Sequence, residues 1–503
     1  MNAIAIAKAW AAGVLFSVFP TAVTSAGASA PMRPQDRSVP EAVWRTQAEA
    51  DIRAAHQLIE QAHPGMLEAD PAFHAWRTLG FRQAMDLARQ ADTEARAWTA
   101  LRFYAAGYRD GHLAVWRERP ATGGARWAGW NVQSRFGNPV VTRTAKAWPA
   151  ALPRVGDELL SCDGVPAREW LDTQVAPYVD RRELDAARSH VALHLTNEWD
   201  AEQPWRDAPV RHCTFRTAKG TLRQVSLFWQ DSFGGLTRWR AEAPPQAVIA
   251  MSPSIRWVHA SDFMVEDGAR LSAFLAEVAT IGAAEEVRTV VLDTRGNNGG
   301  NAIIGFRVLR ALLKDRMPAD DAMPQAAWRV SEVAREALAE RLAMARQLEG
   351  SDGPTLRLVD ELSRGMETAL ARGDATLLQP DGSLAQDVMP PGRAFGGQLI
   401  LVTDSHCASA CLDFADLVLR VPRVVHAGHP TSGDTCYMDI VVRPLPSGAR
   451  LALPLKVWRG RPRGDNEPLV PRFPYAGDVG DTAAVQAWVR DTVLPHAQRI
   501  DTQ

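Results

Sequence analysis

The chain opens in a helical rhythm. Trp44, Ala48, Ile52, Ala55, Ile59 and Ala62 recur at three- and four-residue spacing. Ser38-Val39-Pro40-Glu41 ahead of them fits a capping box, and His63-Pro64-Gly65 stops the run. Further helical stretches at about 71–91 and 94–106 make an all-helical N-terminal region of 31–116. Asp110-Gly111-His112 then reads as a tight turn, with His112 where a strand leaves it. From 117 to 240 the pattern becomes short strands and turns, near 140–142, 155–165, 213–216 and 222–229, which predicts a small β-rich module. Residues 241–503 alternate apolar strands with helices, as an open α/β sheet does. Strands are expected near 255–258, 288–293, 399–402, 423–427, 437–442 and 451–457, and helices near 269–281 and 303–312. The stretch 326–370 is rich in Arg, Glu and Ala, with Val330, Val333, Ala337 and Leu338 on one face, and is expected as a helical insertion beside a cleft.

Two strand-to-helix junctions stand out. In Gln398–Asp416 the strand pattern Leu399-Ile400-Leu401-Val402 changes to a helix pattern at Ser409. A hydroxyl there lies among backbone N–H groups that have no partner inside the helix, a usable place for a nucleophile and its oxyanion; the competing interpretation is a serine that caps the helix. The second junction is Thr294-Arg295-Gly296-Asn297-Asn298-Gly299-Gly300-Asn301, whose glycines let backbone N–H groups approach a ligand closely. Arg295 and Asn298 are as suited to bracing that turn as to touching substrate.

Charge narrows the partners. Lys plus Arg number 56 against 58 Asp plus Glu in 503 residues, which excludes nucleic acid and anionic membrane as main partners. Lys8, an apolar run from Ala9 to Phe19 and the small residues Ala26-Gly27-Ala28 have the layout of a secretory signal, residues 1–28, and predict export to a bacterial periplasm or beyond. Five cysteines, Cys162, Cys213, Cys407, Cys411 and Cys436, leave at least one unpaired within the chain. A bridge from Cys436 to Cys407 or Cys411 would tie a later loop to the Ser409 junction. No C-x-x-C pair supports a zinc or thioredoxin-type centre.

Four stretches together resemble the serine peptidase family of the tail-specific (C-terminal processing) proteases and the tricorn protease core. They are the Asp293-x-Arg295-x-Asn297-x-Gly299-Gly300 turn with its flanking strand and helix, Cys407-Ala408-Ser409-Ala410-Cys411, Val155 to Val165, and Asp110-Gly111-His112. The resemblance implies a crotonase/ClpP-like spiral core, a helical N-terminal region and a PDZ-like module. It implies peptide or protein substrates, and neither metal nor organic cofactor. One departure selects a branch: Gly428-His429-Pro430-Thr431-Ser432-Gly433 is followed by Asp434 where the processing proteases carry their base lysine. The chain is therefore nearer the Ser-His-Glu, tricorn-like branch, which implies Ser409 as nucleophile, His112 as base and Glu467 as the carboxylate that orients it. A serine expected before the histidine is replaced by Gly111. The backbone N–H of Ala410 and that of Gly299 or Gly300 would hold the oxyanion. His406, His426 and His429 are alternative bases, with His406 expected to face outward. The rival function is a degenerate homologue that binds peptide ends without cleaving them. An α/β-hydrolase esterase is disfavoured by Ala-Ser-Ala around the nucleophile, and an acyl-CoA enzyme on the crotonase scaffold by the secretory signal.

Overall fold

The computed structural model describes residues 40–117, 126–198, 210–231, 245–264, 268–318, 324–349, 353–380 and 392–500. The secretory-signal segment and Ser38 lie outside them. The helical rhythm folds as expected into α1 (Glu41–Ala62), α2 (Pro71–Arg89) and α3 (Glu94–Ala106). Asp70 and Thr93 cap α2 and α3 by accepting the N–H groups of Phe73 and Arg96. α1 begins after Pro40, with no side-chain cap bond there. A short β1 (Ala114–Trp116) follows the His112 turn.

The next module is built on β2 (Trp130–Arg135), β3 (Asn138–Thr144), β4 (Glu158–Cys162), helix α4 (Asp185–Thr196), β5 (His212–Arg216) and β6 (Leu222–Ser226). The five strands pair antiparallel in that order. β3 to β6 match the expected strands; β2 and α4 were not foreseen, and Val191 and Leu195 of α4 bury against Trp130, Val132 and Phe215.

The remainder comprises β7 (Ala247–Ser252), β8 (Ile255–His259), α5 (Gly268–Thr280), β9 (Thr289–Asp293), α6 (Ala302–Leu313), β10 (Gln325–Arg329), α7 (Glu332–Glu349), α8 (Pro354–Arg372), β11 (Thr376–Leu378), β12 (Gln398–Thr403), α9 (Ala410–Leu419), β13 (Val425–Gly428), β14 (Tyr437–Pro444), β15 (Arg450–Arg459), β16 (Phe473–Pro474) and α10 (Thr482–Trp488). One sheet runs β7-β8-β9-β12-β13-β16, parallel except for β7. Both faces are covered, which is why β9 and β12 read as continuous apolar runs. Val290 and Leu292 face α5, α6 and α9, whereas Val291 and Ile400 face Val485, Val489 and Val493. Register brings His259, Asp293 and Val402 side by side, and Thr403 beside Gly428. The carboxyl ends of these strands thus share one edge, where ligands bind in open α/β sheets.

A second, antiparallel sheet runs β1-β15-β10-β11, with β14 on β15. This corrects the expected insertion in part: Ala326-Ala327-Trp328 are buried strand, while α7 and α8 pack on the N-terminal helices and Thr355 at the start of α8 accepts Asn301 Nδ2 of the glycine turn at 3.1 Å. Ala337, Leu338, Leu362 and Met366 share one core with Ile52, Ile59, Leu101 and Leu453. The apolar face of 330–338 seeks the largest apolar surface available, and that is the N-terminal layer.

The disulfides also differ from the expected link. Cys162 joins Cys213 on the neighbouring strand and Cys407 joins Cys411, leaving Cys436 free. Cys436 is held away by its own loop, its N–H donating to Asp465 Oδ1 at 2.6 Å.

Candidate active site

Ser409 sits at the junction of β12 and α9, at the N-cap position, with φ 55° and ψ −125°. Such a conformation is costly for a residue with a Cβ. Its side chain caps nothing: no cap hydrogen bond forms, and the residue is partly exposed. The helix-cap interpretation therefore fails at the one bond that defines it. Ala410 is the first helical residue, so its N–H lies outside the helix's own ladder. The turn is fixed on both sides. Ala408 N–H donates to Asn297 O at 3.4 Å, Ser432 N–H donates to Cys407 O at 3.0 Å, and the Cys407–Cys411 disulfide flanks Ser409.

The glycine turn packs directly on this junction. A Cβ on Gly299 would lie 2.7 Å from Ala408 O, 2.8 Å from Ser409 Cβ and 3.0 Å from Ala410 N, so only glycine allows the approach. Gly299 donates its own N–H to Asn297 Oδ1 at 2.8 Å. Arg295 braces the turn: it forks onto Asp293 at 2.9 and 2.7 Å, and Asp293 also accepts Trp257 Nε1 at 2.9 Å and lies 3.1 Å from His259 Nδ1. Burial alone would raise the Asp293 carboxyl, but Arg295 and His259 outweigh it and hold the group ionised.

His112 is buried on its turn, and its N–H donates to Asp110 Oδ1 at 2.9 Å. Its Nδ1 lies 3.9 Å from the same oxygen and forms no hydrogen bond. Asp110 also accepts Thr435 Oγ1 at 2.9 Å, and its Oδ2 faces His63 Nε2 at 3.5 Å. Gly65 N–H donates to His63 Nδ1 at 3.0 Å, so the proton of neutral His63 sits on Nε2, toward Asp110. Burial pushes Asp110 up, yet His63 and His112 together bring it below the ordinary carboxylate value. Gly111 has no space for a side chain, because the Arg182 guanidinium carbon would lie 3.0 Å from its Cβ. Arg182, forked onto Asp180, donates through Nη1 to Gly433 O at 2.9 Å. That guanidinium is the physical reason glycine stands where the tricorn-like pattern has serine.

The two turns meet one loop. Ser432 bonds the Ser409 turn and Thr435 the His112 turn; three residues of extended chain separate these anchors by at most about 11 Å. Glu467 is not brought to His112 by any hydrogen bond or ion pair among the described residues. It is exposed and accepts Gly464 N–H at 2.7 Å, although its neighbour Asn466 donates to Arg109 O at 2.8 Å and so seats that loop on the histidine turn.

His406 does not face outward; it folds back so that Nδ1 lies 3.1 Å from Asp404 Oδ2. His426 lies 2.8 Å from Thr403 Oγ1 and burial pushes it down to about 4. Asp110, His63, Arg182 and Thr435 were not singled out from sequence. His63 had shown only as a helix stop, and nothing in one sequence links residues 47 or 325 positions apart to the same carboxylate.

The α/β core thus presents a non-capping serine at the start of α9, and one loop bonds both this turn and the histidine turn. Residues 254–466 match the family described as Peptidase family S41. Among solved structures, mature CPAF complexed with lactacystin shares the fold at TM-score 0.64 and 15% identity, over 91% of this chain and 100% of that one. Mature CPAF alone gives 0.62 at 15%, over 91% and 98%. The photosystem II D1 C-terminal processing protease is similar at only 0.38 and 14%, over 85% and 93%. No curated protein matches. No described helix is long and apolar enough to cross a membrane.

Proposed function

We propose that the protein is an exported serine endopeptidase in which Ser409 attacks the scissile carbonyl and His112 takes its proton and returns it to the leaving amine. Water then hydrolyses the acyl-enzyme by the same route in reverse. The observation that carries this reading is the Ser409 junction itself, a hydroxyl that caps nothing, held at positive φ against the N–H of Ala410. Ala410 and Gly300 supply the oxyanion donors, since the N–H of Gly299 is committed to Asn297. Loss of one such donor costs about 2.7–4 kcal/mol of barrier.

Glu467 is the orienting carboxylate by resemblance, supported by the seating of its loop on Arg109. A second reading places Asp110 in that role, because its carboxylate is the one beside the imidazole. The antiparallel β2–β6 sheet suits a PDZ-like module, and the largely parallel β7-β8-β9-β12-β13-β16 sheet suits a crotonase-like core. The test is labelling of full-length protein by a fluorophosphonate probe. Wild type is expected to label, with Ser409→Ala and His112→Ala both blank and His406→Ala retaining most of the signal. No labelling of wild type would return the protein to the class of peptide-binding homologues.

A further inference from the structure

We propose that Arg135 and His429 form a carboxylate-binding subsite at the seam between the β2–β6 module and the α/β core, and that it reads an acidic group of the peptide substrate. The proposal rests on the peptidase reading and adds a substrate class to it.

The observation behind it is a set of three buried nitrogens with nothing to bond. Arg135 Nε and Nη2 are shielded from solvent and have no hydrogen-bond partner, and the same is true of His429 Nε2. Buried charges in proteins are paired, because desolvating a cation without an anion is strongly unfavourable. Three buried arginines of this chain follow that rule: Arg182 forks onto Asp180, Arg295 onto Asp293, and Arg463 meets Asp434 and Asp416, whereas the buried Lys314 ammonium, like Arg135, has no partner among the described residues. Arg135 is half-buried, with Nε and Nη2 shielded and unpaired, so the partner this side of its guanidinium is built for lies outside the chain's own described residues. A planar fork of N–H donors suits a carboxylate.

Both groups are fixed in place. Arg135 ends β2, and the hairpin tip after it is pinned by Asp185, which accepts Phe136 N–H at 2.7 Å and Gly137 N–H at 2.8 Å. His429 is 8% exposed, and its backbone is bonded to the end of β12: its N–H donates to Thr403 O at 3.0 Å and its carbonyl accepts Thr403 Oγ1 at 2.7 Å. Ser409 lies on the turn that leaves the same strand end. The hairpin tip meets the histidine through Phe136, whose ring centroid is 6.0 Å from that of His429, and Tyr475 closes the other side at 6.4 Å.

The acids nearby leave the fork open. Asp478 faces Arg135 without bonding it and accepts Gly480 N–H, Asp404 is committed to Gly296 and His406, and Asp185 to the hairpin tip. A carboxylate entering the seam would accept from Arg135 and favour the protonated imidazole of His429. Its source is either the free C-terminus of a peptide or a Glu or Asp side chain.

The test uses full-length Ser409→Ala protein and fluorescence anisotropy with four versions of one labelled peptide: free C-terminus, amidated C-terminus, and amidated with an internal Glu or the matching Gln. We expect at least one carboxylate peptide to bind about tenfold more tightly than the amidated Gln peptide, and the pattern to name the source. Adding Arg135→Gln should erase the difference, His429→Gln should reduce it, and Arg135→Glu should invert it toward a lysine-bearing peptide, a gain that misfolding cannot produce. Equal binding of all four peptides, binding of none, or a preference that survives Arg135→Gln would overturn the subsite. If the wild type fails to label with fluorophosphonate while the carboxylate preference stands, the peptidase reading falls and the subsite remains.

Discussion

Gly299 and Asp110 are the residues where the site is most exposed to single substitutions. Gly299→Ala would push a Cβ into Ala408 O and Ser409 Cβ at positive φ, so kcat should fall on the order of 100-fold, as it does when an oxyanion donor is displaced, while the melting temperature moves less. Asp110→Asn removes the carboxylate beside His112 and the partner of His63. Steady-state kinetics should show kcat reduced at least about tenfold, with the effect deeper than that of Glu467→Gln if the exposed glutamate stays on Gly464. The reverse ranking would restore Glu467 as the orienting acid. Local geometry of this kind was partly legible: the strand-to-helix switch at Ser409 and the turn at His112 stand where the pattern put them. Which carboxylate lies beside the imidazole was not, because that depends on where loops 63–65 and 432–435 land, and no periodicity encodes it.

Among the elements, α9 carries the site at one end and a titrating group one turn on. Asp413 is pushed up to about 7, first by burial and then by the Asp434 carboxylate. Its folded value exceeds the unfolded one, so the stability it contributes is complete below about pH 4 and is lost as pH rises through about 7. Asp413→Asn should therefore flatten the decline of melting temperature between pH 5 and pH 8, measured by calorimetry. Asp404 acts oppositely. His406 and the N–H groups of Gly296 and His406 hold it below its ordinary value despite burial, so its contribution is present near neutrality and lost in acid. The disulfides divide the same way by element. Cys162–Cys213 staples β4 to β5 across 51 residues and should be worth about 4 kcal/mol by loop entropy, read as a drop in denaturation midpoint for the double alanine variant. Cys407–Cys411 spans only 4 positions and acts on the placement of Ser409 more than on global stability. The sequence suggested Cys436 as the partner of Cys407 or Cys411, and the fold instead joins Cys407 to Cys411 and Cys162 to Cys213 on the neighbouring strand.

For the molecule as a whole, most elements followed from period and punctuation, down to α3 at Glu94–Ala106. The pairing of elements did not. Ala326-Ala327-Trp328 read as helix because alanine and arginine surround it, yet tertiary burial against Val457 makes it strand. The N-terminal helices read as a region of their own period, and nothing in that period shows that Ile52 and Leu101 share their core with Leu338, Met366 and Leu453.

That shared core fixes an order of events during synthesis. β1 finds its strand partner only in 450–452, and the first three helices find much of their packing only after residue 334 has been made. A nascent chain must therefore hold its opening segment incomplete until nearly the whole polypeptide has emerged, since contacts so distant in sequence form late. Ribosome-bound chains arrested near residue 320 should be cut readily within 41–106 by added protease, and chains extended past 466 should resist it.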